Sequence, residues 1–393
     1  MSPDVLVQGG SVLPFGRRKD GSGPRDWARQ VVGEALADAG LGLDDIESVV
    51  VGYESDHLAL QLSLGALLID EIGAVPRPLQ RVEAGGASGA AAVRAGYLQI
   101  KAGAARAVLV LGVEHAASHL AGEDVGFLYG LSFDADLEGY AGATAPALYA
   151  LSMAAHAALH GTSEEDMALV SVKNFANAAA NPWAHRRRPV TLEEVLASPP
   201  VSPPYKRLDC SPLSDGAAAL VLTASDWAPA VARPKVRLAA SACATDHVRL
   251  GDRADPQRFA AKARAAREGY RQAAIADPLR ALALAELYDA FSGAELQAIE
   301  DLGLAAPGQA AARLREGYFA VDGALPINVS GGLIGQGAAP GATGVAQVVT
   351  AERLLTDRYW RAVETATSRP FALVESHGGI ATVCLLHILE RRP

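Results

Sequence analysis

Two glycine-rich turns hold the residues best suited to grip a reactive anion. The first, Glu83 to Gly96, reads EAGGASGAAAVRAG and contains Gly86 and Ser88. The second, Asn328 to Gln347, reads NVSGGLIGQGAAPGATGVAQ and contains Asn328, Gly331, Gly332, Gly337 and Ala338. Each turn feeds a helix of small residues, so free N–H groups at a helix start can face a ligand and stabilise negative charge. Asn328 and Ser330 are expected to brace the second loop, and Glu83 and Glu114 to flank the first as structural groups. Arg186, Arg187 and Arg188 form a run able to grip a phosphate, or else a solvated surface charge. His115 with His119, and His156 with His160, have i, i+4 spacing. Neither pair has a third ligand nearby in sequence, so no metal is expected. Cys210, Cys243 and Cys384 lack metal-site spacing, and an odd count is no disulfide framework.

The elements that must position these residues repeat. The two glycine units lie about 245 residues apart, and each is followed by a strand, AVLVLGVE at 107–114 and FALVESHGG at 371–379. A repeat this long predicts two homologous α/β halves, each aiming a helix start at a shared centre. In the first half, strands are expected at 4–11 and 48–53, with helices at 26–41 and 57–73, the latter apolar on most sides and so expected to be buried or packed against another subunit. Residues 120–205 break the alternation. They carry helices at about 145–160 and 163–179 and a proline-rich return, and are expected to cover the site. A linker at 223–238 leads into the second half, with a helix at 256–276, a strand at 283–289 and a helix at 291–304. The halves are assigned to 1–230 and 231–393.

Composition bounds the partners. The chain has 393 residues, 50% hydrophobic and 20% charged, with a net charge of −9. No uncharged apolar run is long enough to span a bilayer. The acidic balance argues against nucleic acid as a partner. The start, MSPDVLVQGGSVLPFG, lacks the basic region and apolar core of a secretory signal, which points to the cytoplasm.

Several segments, in order, resemble the thiolase superfamily over nearly the whole chain. GTSEEDMALVSVKNFANAAANPWA is similar to the thiolase insertion and DCSPLSDGAAALVL to the strand returning from it. YDAFSGAELQAIEDLGL resembles the thiolase segment reading HDAF or NEAF, and NVSGGLIGQGAAPGATG resembles NxxGGxxxxGHPxGATG. The resemblance implies a duplicated five-layer αβαβα thiolase fold with an inserted loop domain, a homodimer, and an acyl-CoA thioester as substrate. CoA enters as part of the substrate, with no separate cofactor. In such a site Gly86, Ser88, Asn328, Gly331, Gly332, Gly337 and Ala338 would contact substrate, and Arg186 to Arg188 the CoA phosphates.

The chain departs from that pattern where thiolases do their chemistry. Gly86 stands in place of the nucleophilic cysteine, so no acyl-enzyme can form there. The GHP motif reads Gly337-Ala338-Ala339-Pro340, without its histidine. Tyr288 replaces the asparagine or histidine before the DAF motif, and Ser376 and His377 occupy the neighbourhood of the C-terminal CxG cysteine.

Two functions remain. The first is retro-aldol cleavage of a β-hydroxyacyl-CoA, similar to cysteine-free aldolases of sterol side-chain breakdown that work with a small zinc-ribbon and OB-fold partner. Tyr288, His377 and Asp289 are then the catalytic candidates. Tyr288 would act as acid or base if neighbours lower its pKa, His377 would replace the missing histidine, and Asp289 would anchor the next helix. The second is a non-catalytic thiolase-like subunit of a heteromeric acyl-CoA-processing complex.

Overall fold

A computed structural model describes residues 2–229 and 235–392. The strands are β1 (Val5–Val12), β2 (Ser48–Gly52), β3 (Leu79–Val82), β4 (Ala107–Glu114), β5 (Pro200–Ser202), β6 (Tyr205–Lys206), β7 (Gly216–Ala224), β8 (Lys235–Thr245), β9 (Leu282–Glu286), β10 (Phe371–Gly378) and β11 (Val383–Arg392). The helices of the first half and insertion are α1 (Pro24–Ala39), α2 (Asp56–Ala59), α3 (Leu64–Glu71), α4 (Ser88–Lys101), α5 (Gly122–Gly130), α6 (Ala145–His160), α7 (Glu164–Ala179) and α8 (Leu192–Leu196). Those that follow are α9 (Ala260–Gln272), α10 (Pro278–Ala281), α11 (Ser292–Asp301), α12 (Ala310–Arg315), α13 (Gly332–Gln336), α14 (Pro340–Leu355) and α15 (Thr365–Ser368).

Nine strands form one sheet in the order β3-β2-β4-β7-β1-β8-β11-β10-β9. The duplication is visible in this order. From the centre outward, β1-β7-β4-β2 pair antiparallel, antiparallel, parallel, and β8-β11-β10-β9 repeat the same three pairings. Even the outermost position recurs. β3 runs parallel beside β2, and a single parallel bridge from Ala285 to Ile327 takes its place beside β9. Among the described residues, the two halves of the sheet pair at Leu6↔Arg237 and Val7↔Val236 on β1 and β8. Strands buried along their whole length, such as β4 and β7, read as continuous apolar runs because helices cover both faces.

The layers are α1 and α3 outside, the first half-sheet, α4 with α14 in the middle, the second half-sheet, and α9 with α11 outside. The middle layer is the tightest. A Cβ at Gly89 would lie 2.4 Å from the carbonyl oxygen of Gly341, and one at Gly344 would lie 2.3 Å from the amide nitrogen of Ala90. Here glycine is required by backbone approach rather than by a turn. That contact brings the starts of α4 and α14 side by side.

Two expectations about elements change. The helix expected over 57–73 is two short ones, α2 and α3, because Leu60 and Ser63 take left-handed backbone angles (φ +50° and +55°). Leu60 and Leu62 in that break are 71% and 70% exposed, so the segment's apolar residues are not all turned inward. The expected strand at 283–289 ends at Glu286, which leaves Tyr288 and Asp289 in the loop beyond the strand's carboxyl end. The central part of the linker expected at 223–238 lies outside the described residues.

The middle layer makes a clean stability comparison. Gly89→Ala should destabilise the chain by roughly 2–3 kcal/mol through overpacking, read as a lower midpoint in urea unfolding. Gly33→Ala, on exposed α1 with open space at its Cβ, should be neutral or stabilising by up to about 1 kcal/mol.

Candidate functional site

At the carboxyl ends of the strands, between the starts of α4 and α14, lies a cavity of about 530 Å³. Gly86, Tyr288, His377 and Ala338 line it together, so both glycine units and both closing segments converge there as the repeat implies. Helices α5 and α6 of the 120–205 segment roof it with Tyr129 and Tyr149, and Glu54, just past β2, stands in the wall. A neighbouring cavity of about 470 Å³ shares Glu54, Tyr129, Ser132 and Gly379.

At residue 86 one side chain excludes another. A Cβ there would lie 2.4 Å from the Tyr288 hydroxyl oxygen and 2.7 Å from the backbone oxygen of His377. The phenol therefore fills the space in which a nucleophilic side chain would begin. None of the three cysteines lines the cavity. Cys210 donates its thiol to the Lys206 carbonyl oxygen, and burial with Asp209 nearby pushes it up to about 12. Cys243 is exposed on β8, and its thiol is pushed up by burial. Cys384 is buried at Glu375 and pushed well above the ordinary thiol range. None is a poised thiolate.

Tyr288 behaves differently from the expectation. Burial, reinforced by Glu54, Tyr149 and Glu375, pushes its phenol well above the ordinary value of 10 instead of lowering it. Its hydroxyl has no hydrogen-bond partner among the described residues, so it is a neutral donor open to the cavity. His377 is likewise not a free base. Its Nδ1 lies 3.0 Å from Glu375 Oε1 and its Nε2 2.6 Å from the Tyr149 hydroxyl. Burial and Lys262 push the imidazole down to about 4. Glu375, though burial raises it, is held at about 2 by Lys262 and His377. With Glu375 charged and His377 neutral, Nδ1–H donates to the carboxylate, and the one proton of the Tyr149 hydroxyl is shared between Nε2 and the Gly379 carbonyl oxygen at 2.9 Å. The neighbouring Ser376 turns away and donates to Gln347 on α14, so His377 is the residue of that pair at the cavity.

The remaining predicted residues divide between bracing and the surface. Asp289 does not reach the cavity wall. Its carboxylate accepts the N–H groups of Leu333 (2.6 Å) and Ile334 (3.4 Å) and the Asn174 amide (2.8 Å), which anchors α13. Asn328 accepts from the Leu287 N–H at 2.7 Å and donates to Glu295 at 2.7 Å. Gly331 packs on Ala178, Gly332 on the Asp289 carboxylate and Gly337 on Ser214. Ser88 bridges the Ala84 N–H and the Gly85 carbonyl oxygen. These residues shape the turns without lining the cavity. Arg186 donates to the Cys210 carbonyl oxygen at 2.9 Å, Arg188 pairs with Glu194 at 2.9 Å, and Arg187 is exposed; the cation at the cavity is Arg17.

Several site groups escaped the sequence reading. Burial pushes the Glu54 carboxyl up to about 7, and its Oε2 is buried without a hydrogen-bond partner. The position just after a strand's carboxyl end was the available signal, since α/β sites gather there. Tyr129 and Tyr149 carry no motif. Gly86 and Gly379 bring backbone to the cavity wall. Glu114 proves structural as expected. It accepts the N–H groups of Glu54 and Gly341, both at 3.0 Å, and ties the first half to the start of α14. Outside the cavity, Glu300 joins His156 and His160 as the third potential ligand that the sequence left unseen.

Burial, then repulsion from Glu54, pushes Glu114 up to about 8, so the folded chain holds a proton there that the unfolded chain has released. Stability should thus fall as pH rises through 8. Below about pH 6.5 the buried His377 and His387, both pushed down to about 4, act in the opposite sense, since stability grows as they lose the proton carried only by the unfolded state. The net fall should be steepest between about pH 6.5 and 7, where Glu54 and Glu286, both raised to about 7 by burial, add to it, and should continue to about pH 8 as a lower urea midpoint. Glu114→Gln, neutral throughout, should remove the part between about pH 7 and 8 and leave the part below 7.

Two family models match the chain: "Thiolase, N-terminal domain" over residues 5–195 and "Thiolase C-terminal domain-like" over 242–391. The chain is 35% identical to an acetyl-CoA acetyltransferase of Methanothermobacter thermautotrophicus, across 99% of this chain and 100% of that one. It is 28% identical to sterol carrier protein 2 of Oryctolagus cuniculus, across 88% of this chain and 64% of that one. Among solved structures it superposes on the Ltp2-ChsH2(DUF35) aldolase with a TM-score of 0.82 and 23% identity, across 99% of this chain and 98% of that one. With the duplicated sheet, the paired helix starts and the shared cavity, these matches establish that the chain belongs to the thiolase family.

Proposed function

We propose that this thiolase-family chain cleaves the Cα–Cβ bond of a β-hydroxyacyl-CoA by a retro-aldol route, without a covalent acyl-enzyme. The observation that carries this reading is the Tyr288 hydroxyl lying where a side chain at residue 86 would start. A site so filled offers a proton donor and N–H groups but no nucleophile.

In this mechanism the Glu54 carboxylate takes the β-hydroxyl proton, since a group poised near 7 suits a base at neutral pH. The Cα–Cβ electron pair passes into the thioester as an enolate, and a ketone or aldehyde departs. The Gly86 and Gly379 N–H groups hold the enolate oxygen. Tyr288 donates its proton to Cα, giving the shortened acyl-CoA, and is recharged by the proton that Glu54 took. Tyr149, held by His377, packs on the acyl chain, and Arg17 at the rim serves the CoA phosphates. The enzyme works with a small partner carrying a zinc ribbon and an OB fold; the two-component name of the aldolase superposed above supports an assembly of two proteins. We place the enzyme in the cytoplasm as a homodimer. No helix among the described residues is long and apolar enough to cross a membrane.

The acetyltransferase name of the relative from M. thermautotrophicus does not carry over, because acyl transfer by the thiolase route needs the missing thiol. A non-catalytic subunit that binds CoA esters is the second reading, favoured by the engaged His377 and the neutral Tyr288.

The purified chain, with and without its partner, should release ketone or aldehyde and a shortened acyl-CoA from β-hydroxyacyl-CoAs, followed by mass spectrometry. Tyr288→Phe and Glu54→Gln should each lower kcat by about 10²–10⁴-fold. Full activity in Tyr288→Phe would remove its role as donor. CoA-ester binding with no turnover, partner present, would establish the subunit reading instead. An acyl adduct on the protein after incubation with acetyl-CoA would sink both.

A further inference from the structure

We propose that His156, His160 and Glu300 form a binding site for one divalent transition-metal ion of the zinc class, separate from the cavity. His156 and His160 sit one turn apart on the same face of α6, and Glu300 reaches them from α11. One ligand atom from each of the three lies within 4.8 Å of the others. In a tetrahedral site with bonds of about 2.0–2.1 Å, donors stand roughly 3.4 Å apart. His156 Nε2 and Glu300 Oε2 are already at 3.0 Å, and His160 offers its nitrogen within 4.8 Å of both.

The surroundings fit a ligand set. Thr162 Oγ1 lies 3.3 Å from His156 Nδ1 and can accept its N–H, which leaves Nε2 as the metal-facing lone pair. Glu300 Oε1 is fixed by the Ala310 N–H at 3.1 Å. The loop carrying Gly308 (φ +74°) is shaped around His160, since a Cβ at 308 would lie 2.6 Å from His160 Nδ1. His156 is buried while His160 is partly exposed, which gives the ion a route in and a fourth position for water. Two imidazoles and one carboxylate are a donor set for zinc and its neighbours rather than for calcium or magnesium.

The ion would tie α6 to α11 and to the loop before α12. Tyr149 lies on α6 about two turns before His156, so the same clamp fixes the helix that carries it into the cavity. The role is structural and independent of the reaction.

The test uses the full chain stripped with a chelator and titrated with Co²⁺ and with Zn²⁺. One Co²⁺ per chain should bind with the visible d–d bands of a four- or five-coordinate ion, and Zn²⁺ should raise Tm in a concentration-dependent way. His160→Ala and Glu300→Gln should weaken Co²⁺ by at least about 100-fold, the upper range for losing even an outer partner. His115→Ala, in the other histidine pair, should bind as wild type. Absence of both bands and Tm shift in the wild-type chain, or bands that persist in His160→Ala, would overturn the proposal. Because His160 is partly exposed, its variant folds even if Glu300→Gln does not.

Discussion

Two side chains cannot share one volume, and at the centre of this protein that exclusion decides the chemistry. A Cβ at residue 86 would stand 2.4 Å from the oxygen and 3.0 Å from the ring carbon of the Tyr288 phenol. In this arrangement a Cβ at 86 requires the Tyr288 phenol to move, with the His377 backbone oxygen 2.7 Å away on the same spot, so the two departures from the thiolase pattern are coupled by packing. Restoring a cysteine alone would push the phenol into His377, whose ring centroid is 4.7 Å from that of Tyr288. The missing histidine at Ala338 completes the change, since a thiol at residue 86 would lack the GHP imidazole that activates it in the thiolase pattern.

What survives is the part of the site made by backbone. The end of β10 meets the first glycine turn so closely that a Cβ at Gly378 would lie 2.0 Å from the Ala84 carbonyl oxygen. The Gly89 and Gly341 contact fixes α4 against α14 in the same way. Neither contact involves the side chain at 86. The backbone at Gly86 and Gly379 stays on the cavity wall whether or not a nucleophile is present. In the proposed mechanism, oxyanion stabilisation is therefore a property of the fold, and the attacking group an addition to it.

That division also explains what could be read in advance. The glycine repeat, the strand after each unit and the insertion were legible because backbone approach leaves glycine in the sequence, and two copies cross-check each other. β4 falls on 107–114 as expected. The pairing of Gly86, Ala338, Tyr288 and His377 around one cavity followed from the family pattern. The roles did not. Gly331, Gly332, Asn328 and Asp289 have the residue types of a binding loop, yet they spend their polar groups on neighbouring elements. Arg186 to Arg188 are clustered in sequence but dispersed in space, whereas Arg17 reaches the cavity from far away in the chain. Glu54 and Tyr149 matter because of burial and partners, which no local spacing encodes.

The electrostatics set a direction for protons in the cavity. Apart from Arg17 at the rim, positive charge stands behind the wall. Lys262, fully buried, sits 3.0 Å from Glu375, and that carboxylate holds the Nδ1–H of His377. A buried pair of this kind adds little net stability, but it fixes a tautomer. With its Nδ1 proton bound and its Nε2 occupied by Tyr149, His377 can gain a proton only through that hydroxyl, and Lys262 opposes the resulting charge. Tyr129, Tyr149 and Tyr288 are all pushed up by burial and stay neutral. Among the described residues facing the cavity, Glu54 alone combines a carboxyl near neutrality with an unsatisfied oxygen, which is why the proposed mechanism gives proton removal to it and proton donation to the phenols.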